Sequence, residues 1–586
     1  MLFSIVAQSL QQIESASSRI VITGLLAELF REATPDESSF LAYFSLGSLY
    51  PPYHNKTFNI SQKSAIKAVA SFGNISHEHA TAAVKQCGDV GLYVEHVARQ
   101  RAGEPLLTVT EVASQLHRLL EMSGTGSQER KEAALVALLQ SVTPLEAKYI
   151  VRSVVGKLRL GFSDMTLLDA YSWMISGDKT LRQPLENAYN VCADIGLVIT
   201  TLKEGGIAAV AQLTITPGIP IRPAAAERLP DAQSIVDRLG TCVSQPKLDG
   251  FRLQVHVTKS GDDVSVFFFS RNLHDMSAMF PELRHCFEQL PVDSVVFEGE
   301  AIAQHPETGE FLPFQETIKR KRKHDVDDMA ASVPLTLYIF DVLFLNGVSL
   351  LEESHEERRR QLAQLFINNS DERVQVIDEK IVTAANQLSF YFDEAMSHGL
   401  EGLVVKKITA SYQPGKRNFN WIKLKREEDG SLHDTLDCVI LGYYFGTGKR
   451  TKFGIGALLV GVYNPESDAF ETIAKIGTGL TDEQWREAKA VCDGNLSSEQ
   501  PHTVVCAKEL YPDVWVTPTT VCMVRADNIT RSPLHSAGKT ESRLGYALRF
   551  PRIMGYRDDK DAQDTTTHTE VAHLYTIQDL QHKKTK

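Results

Sequence analysis

No run of eighteen apolar residues occurs in this 586-residue chain, which excludes a conventional membrane-spanning helix. Cysteine is sparse: the eight residues at 87, 192, 242, 286, 438, 492, 506 and 522 form no CxxC pair, which argues against a zinc cluster and for reduced thiols. An excess of positive charge is also missing. The formal net charge of −12 gives no global reason to seek a polyanion, so any such partner must be met by local basic patches. The opening "MLFSIVAQSLQQIESASS" has no basic leader and its apolar residues are broken by Gln and Glu, so a signal peptide is not expected and the cytoplasm is. Internal repeats and low-complexity tracts are absent as well.

What is present is an ordinary globular composition, 43% hydrophobic and 23% charged, in a chain too long for one core. Two to four domains are expected. Residues 1–215 carry helical periodicity, as in "PLEAKYIVRSVVGKLRLGF", where Ile150, Val151, Val154, Val155 and Leu158 recur on one face. A linker is expected at 216–232, where four prolines between 217 and 230 cannot continue a helix. The period then changes to two. Phe251, Leu253, Val255 and Val257 alternate with polar partners, "KSGDD" turns the chain, and Val264, Val266 and Phe268 alternate back, a hairpin pattern. With "DSVVFEGEAIA", "LTLYIFDVLFL", "GLVVKK", "NWIKLK" and the helical "EERRRQLAQLF", residues 233–430 read as an α+β domain. A polar break, "REEDGSLHDTLD", leads into 431–586, whose short strands such as "CVILGYYFG" and "ALLVGVYN" predict a small β-barrel.

The chemistry centres on "SQPKLDGFRLQVHV", residues 244–257, which sets Lys247 before an Asp-Gly turn and Arg252 at the start of a strand. Alone, this is most simply a solvated lysine at a turn. As a nucleophile the amine would have to shed a proton held with a pKa near ~10.4, which needs neighbouring cations or a metal. Arg252 is placed to help and to hold a phosphate. Downstream, Glu298 and Glu300 stand two apart on one strand face, suited to a sugar hydroxyl or a divalent metal, or else to a hydrated outer face. Phe340 lies on the face opposite Asp341; a strand phenylalanine is usually core, but it can also stack on a base. "EGLVVKK" joins Glu401 to Lys406, and "RNFNWIKLK" sets Lys423 and Lys425 opposite Ile422 and Leu424, a pair that is solvated or suited to phosphates.

Taken in order, KLDGFR, SRN, FEGEA, YIFDVLFLNG, EGLVVK, NWIKLK and ALRFPR with RDDK closely resemble the ATP-dependent DNA ligases of the archaeal and eukaryotic replicative type. The likeness spans nearly the whole chain: "EAKYIVRSVVGKLRLGF" is similar to that family's DNA-binding domain and "DTLDCVILGYYFGTGKR" to its oligonucleotide-binding (OB-fold) barrel. It implies a multidomain fold: an all-α DNA-binding domain, an α+β nucleotidyltransferase domain at 233–430, and an OB-fold domain with a C-terminal tail at 431–586. It also implies nick sealing through a lysyl-AMP on Lys247 and a DNA-adenylate, with ATP and Mg²⁺ as cofactors and nicked duplex DNA as partner. Further implications are a monomer and a sliding clamp as recruiter.

Carried over residue by residue, the resemblance puts Arg252, Arg271, Glu300, Phe340, Arg417 and Lys423 around the nucleotide, with Phe340 on adenine. Lys406 joins the pocket, and Lys423 and Lys425 touch the α-phosphate. Glu300 and Glu401 serve the metal, and Arg557, Asp558 and Lys560 orient pyrophosphate. One departure is Gln245, where the family commonly has an acid; an amide can still accept from or donate to an adenine edge. For DNA phosphates the densest basic run is "KRKRK", 319–323, with Arg152, Lys157 and Arg159 as helical candidates, although solvated surface charge explains these nearly as well. "GTGK", 446–449, lacks the spacing and hydroxyl of a P-loop and reads as a barrel turn. An RNA ligase or capping-type nucleotidyltransferase would use the same lysine chemistry, and a non-catalytic DNA clamp could keep the fold. The long helical region and "RFPR" favour the DNA enzyme.

Overall fold

The computed structural model describes residues 1–586 except 17, 100–106, 157, 161, 230, 289, 305–310, 313–316, 318–332, 369–370, 399, 426–434, 558–559 and 585–586, and except the side chains of 417, 448, 449 and 579–584. The run 319–323, Lys157, Asp558 and the Arg417 side chain therefore lie outside the described residues. The chain forms two compact units, Met1–Ala65 with Arg101–Arg426, and Ile66–Gln100 with Glu427–Lys586.

The helical part of the first unit follows from its caps and stripes. Thr34, Thr108 and Thr143 each accept from the backbone of a glutamate three residues on, whose carboxylate returns to the threonine N–H. Such a box contributes roughly 1 kcal/mol and fixes where the helix begins. Helix Val109–Glu121 buries Val109, Val112, Leu116, Leu119 and Leu120, a single apolar stripe.

Helix Pro144–Val154 departs from the sequence reading in two ways. It stops at Val154 because Gly156 takes φ +72°, so Leu158, though buried, is not on the helix. Arg152 is no surface cation either. It is 2% exposed and its guanidinium lies 3.0 Å from the Glu14 carboxylate, with Lys148 2.7 Å from the same group. Burial pushes the Glu14 carboxyl up, but Arg152 and Lys148 outweigh it and hold the carboxyl at about 2. The charge is consumed internally and does not face phosphate.

Two sheets build the rest of this unit. The first orders β1 (Ala225–Arg228), β11 (Arg417–Lys425), β10 (Gly402–Lys407), β2 (Cys242–Pro246) and β9 (Lys380–Val382). The second orders β4 (Asp263–Ser270), β3 (Phe251–Ser260), β5 (Ser294–Ala303), β6 (Leu335–Leu345) and β7 (Val348–Ser349), with β8 (Val374–Val376) on β6. The expected hairpin is β3–β4, with Val255 opposite Phe268 and Val257 opposite Val266. Leu253, Val255 and Val257 face a core shared with Phe268, Phe280, Phe287 and Leu362, each such burial stabilising by about 1.5–3 kcal/mol.

The opposite face of β3 is polar. There Gln254 and His256 zip the extended, proline-bearing segment before β1 onto the sheet. The Gly218 N–H donates to His256 Nδ1 at 3.0 Å, and Ile221 exchanges two hydrogen bonds with the Gln254 amide at 2.7 and 3.1 Å.

In the second unit β12 (Leu436–Tyr444), β13 (Ala457–Asn464) and β14 (Ala469–Ile476) run antiparallel as a meander, with Val521–Arg525 pairing both β12 and Arg552–Tyr556. Cys438, Ile440, Leu458, Val460, Val462 and Ile473 fill the interior, and Trp485 from helix Asp482–Asp493 packs with them. The strand count and alternation are those of the expected small barrel. "GTGK" is the turn leaving β12 for the 3₁₀ helix Gly448–Phe453.

Candidate active site

Lys247 is fixed by its backbone before its side chain does anything. Its N–H donates to the Gly402 carbonyl at 2.9 Å, and its carbonyl accepts from the Glu401 N–H at 3.3 Å. Residues 248–250 then cross from β2 in the first sheet to β3 in the second. Gly250 donates its N–H to Glu300 Oε1 at 3.1 Å and lies so close to the Ala301 backbone oxygen that a Cβ there would collide with it. The lysine therefore stands at the root of the cleft between two sheets, beside a cavity of ≈ 1110 Å³.

Strand alternation decides what reaches that cavity. On β11, Trp421, Lys423 and Lys425 point toward it while Ile422 and Leu424 are buried in the sheet's own core. From the second sheet come Arg252, Glu300 and Phe340, from the loop after β4 comes Arg271, and from β2 and β10 come Gln245 and Lys406. Glu401 completes the set, its carboxylate paired with Lys247 and, at 2.9 Å, with Lys425. Asn55 and Thr57 of the helical region also line the cavity. Arg417 begins β11 opposite Ala225. Arg557 and Lys560 belong to the second unit, where both approach Asp437, at 3.5 and 2.7 Å.

Charge on the cavity floor is finely divided. Arg252 spans the Ala224 carbonyl at 2.8 Å and both oxygens of Glu298 at 3.0 and 2.8 Å, while the Tyr412 hydroxyl donates to Glu298 at 2.8 Å. Glu298 is thus spent on positioning Arg252; it shares a face with Glu300 but not its exposure to the cavity. Burial raises the Glu300 carboxyl to about 7, against the opposing pull of Lys247 and Arg252. Burial also lowers the Lys406 ammonium to about 8; its Nζ donates to the Phe340 carbonyl at 3.1 Å and lies 4.3 Å from the Trp421 ring centre. Two cations approach the Phe340 ring, Lys406 Nζ at 4.9 Å and the Arg252 guanidinium at 5.5 Å from its centre. Its neighbour Asp341 faces the other way and is buried against Arg358, at 2.7 and 3.1 Å.

Of the carboxylates lining the cavity, which also include Asp249 and Asp275, Glu300 and Glu401 lie beside Lys247 and could hold a divalent cation. Among the described residues no three His, Cys, Asp or Glu side chains gather into a cage. Burial pushes Glu401 up, but Lys247 and Lys425 prevail and keep it ionised below the usual carboxylate range. Its buried Oε2 is neutralised by those charges without an aligned hydrogen bond. This donor set fits Mg²⁺, which commonly takes one or two carboxylates and completes its shell with phosphate oxygens and water.

Sequence reasoning missed Trp421, although its place two before Lys423 was a period-two signal for the same face. It also missed Glu379, which accepts from the Gln245 amide nitrogen at 3.0 Å and from His355 Nε2 at 3.1 Å, with Arg359 at 3.6 Å. No local pattern marks Glu379. Only the fold brings it behind Gln245.

Family models match three consecutive regions: "DNA ligase N terminus" at 2–172, "ATP dependent DNA ligase domain" at 223–425, and "ATP dependent DNA ligase C terminal region" at 451–560. The chain is 42% identical over 577 residues to the "Probable DNA ligase" of Dictyoglomus thermophilum, covering 98% of this chain and 97% of that one. It is 36% identical over 582 residues to "DNA ligase 1" of Methanosarcina acetivorans, covering 98% and 99%. The solved structure called Pmar-Lig_PreS3 shares the fold, with a TM-score of 0.55 at 16% identity over 94% of this chain and 99% of that one.

Proposed function

The chain belongs to the ATP-dependent DNA ligases, and from that premise we propose that Lys247 is the group that takes adenylate from ATP. The family's activity is the sealing of nicks in DNA with ATP and a divalent metal such as Mg²⁺, and the helical, nucleotidyltransferase and OB-fold regions are those of this family. The observation that carries the assignment of Lys247 is its placement. A lysine tethered by its own peptide group between two sheets opens onto a cavity lined also by Phe340 and Trp421, by the carboxylates of Glu300 and Glu401, and by Lys406, Lys423 and Lys425.

The amine of Lys247 attacks the α-phosphorus, a P–N bond forms, the P–O bond to pyrophosphate breaks, and the proton leaves the nitrogen. The adenylate then moves to the 5′-phosphate of a nick, and the 3′-hydroxyl displaces AMP to close the strand. Phe340 supplies a face for adenine, its ring plane fixed by Trp421 and the two nearby cations. Lys423 and Lys425 set positive charge on the phosphate side, where positioning and neutralisation do most of the work in such transfers. Arg271 reaches the same cavity from the loop after β4. Arg417, whose backbone begins β11, is assigned to the nucleotide by its likeness to the family alone. Arg252, anchored by Glu298, holds β3 in place beside the Lys247 turn. Glu300 and Glu401 would hold the divalent cation, which supplies positive charge against the triphosphate. Arg557 and Lys560 serve the pyrophosphate in the first step.

The reading extends to a monomer acting in the cytoplasm, at the nucleoid in a prokaryote, with a sliding clamp as recruiter. Residues 1–215 grip DNA, 216–232 link, 233–430 carry the nucleotide and 431–586 form the OB-fold domain and tail. Incubation of the purified chain with ATP, Mg²⁺ and nicked DNA, beside a nicked RNA duplex and beside Lys247→Ala, tests it. Sealing of the DNA nick and a mass increase of one AMP on Lys247 are expected. Sealing by the Ala variant, or an adduct on another residue, overturns it.

A further inference from the structure

Gln245 is 2% exposed, yet it lines the cavity. Its neighbour Glu379 does not line the cavity; it stands behind Gln245, clamped by His355 and Arg359. An amide has one donating and one accepting end, and at a site such as this the two ends are told apart by the partner. A carboxylate can only accept. Burial pushes the Glu379 carboxyl up, but the hydrogen bond from His355 and the nearby Arg359 outweigh it and keep it ionised, so the end of Gln245 that faces it is the NH₂, at 3.0 Å. The carbonyl oxygen Oε1 is left as the end of the amide available for other work.

We propose that Glu379 is a positioning residue for nucleotide selection: by fixing the Gln245 amide it presents Oε1 as an obligate acceptor to the exocyclic amine of adenine. This rests on adenine occupying the cavity beside Phe340, as above. A free amide would be ambivalent, since turned over it would offer its NH₂ and welcome a 6-oxo purine. Held by Glu379 it meets the oxygen of a 6-oxo purine with its own oxygen, two acceptors face to face. A site whose buried polar group is left unpaired rejects an analogue far more strongly than one that loses a weak contact. The departure of this chain from an acidic residue at position 245 is thereby compensated: the carboxylate sits one residue deeper and imposes its polarity on the amide.

The chemistry also says how to invert the device. In Glu379→Gln the partner offers both a donor and an acceptor, the Gln245 amide regains two orientations, and discrimination between 6-amino and 6-oxo purines weakens. In the double variant Gln245→Glu with Glu379→Gln, the donor and acceptor of the buried pair exchange places. A carboxylate oxygen again meets the base, and discrimination returns.

The test is formation of the covalent nucleotide adduct on the full chain, read by intact mass and by its rate, with ATP, ITP and purine riboside triphosphate. The unaltered protein is expected to rank ATP above purine riboside triphosphate and that above ITP. Glu379→Gln should narrow the ATP-to-ITP ratio roughly tenfold to hundredfold, the range set by leaving one buried hydrogen-bonding group unpaired. The double variant should restore at least most of it. Equal slowing of all three nucleotides by Glu379→Gln, which a merely structural role gives, overturns the proposal. So does an unaltered protein that accepts ITP as readily as ATP, a result that needs no variant to fold. Absence of any adduct on Lys247 with ATP would instead overturn the assignment of the nucleophile, and is distinguishable from both.

Discussion

Lys247 and Glu401 are joined twice: the Glu401 N–H donates to the Lys247 carbonyl at 3.3 Å, and their side chains form an ion pair that Lys425 shares at 2.9 Å. The side chain of Lys247 is thus paired with a carboxylate that is itself tied to its backbone. Removing the amine with Lys247→Ala is expected to abolish the AMP adduct and to lower ATP-dependent sealing by at least roughly a thousandfold, the usual scale for loss of a covalent nucleophile. Sealing of a nick already carrying 5′-adenylate should survive in part, which a gel assay on both substrates reads directly.

Glu401→Gln keeps the shape and deletes the charge. Adduct formation should slow by roughly tenfold to a thousandfold and require more Mg²⁺ for its half-maximal rate, because the proposed metal-holding oxygen and the restraint on two lysines go together. A magnesium titration of the adenylation rate checks this. An unchanged Mg²⁺ midpoint would count against a metal role for Glu401.

Glu300 yields a stability prediction with a definite sign. Its folded-state carboxyl is raised to about 7 from 4.5, so between those pH values the native state binds more protons than the unfolded one. Its contribution to stability is therefore intact below pH 4.5 and is lost as pH rises toward 7. Glu300→Gln does not titrate, so its stability relative to the unaltered protein should climb across that window by at most ~3 kcal/mol and then level off. Urea denaturation of both proteins at pH 5 and pH 8 measures it. Activity should fall even as stability rises.

Asp341 and Arg358 form the opposite case. Both are at most 2% exposed and their hydrogen bonds are 2.7 and 3.1 Å. Arg358→Met leaves a carboxylate buried with Lys406 3.9 Å away as its remaining cation, and should cost about 3–5 kcal/mol. Denaturation midpoints decide the point, and a neutral result would mean that β6 relaxes around the gap.

Arg557 and Lys560, both on Asp437, are proposed above to serve the first step alone. Alanine at either position should lower the rate of adduct formation by about tenfold or more while leaving sealing of a pre-adenylated nick within about twofold. Equal losses in both assays would assign them to DNA instead.

How much of this was legible beforehand differs with the range of the interaction. Period-two alternation placed Leu253, Val255 and Val257 in the core and set Lys423 and Lys425 opposite Ile422 and Leu424, because side-chain direction in a strand is a local property. Alternation also put Glu298 and Glu300 on one face, but it could not say that Arg252 would consume the first and spare the second. Arg152 was misread for the same reason: its partner Glu14 lies 138 residues away. Glu379 was invisible because the loop before β9 has no period at all, and its meaning comes from the amide it touches. Even the end of helix Pro144–Val154 turned on one backbone angle at Gly156, which hydrophobic spacing does not record.

The absence of a side chain at Gly250 has a consequence for anyone who would redesign this enzyme. Since a methyl group there would wedge the strand carrying Glu300 away from the bridge that bears Lys247, the amine and the carboxyl are spaced by backbone touching backbone. Tolerance to substitution should be low at this position although it contributes no side chain, and libraries built only from the polar residues of the cleft would overlook it.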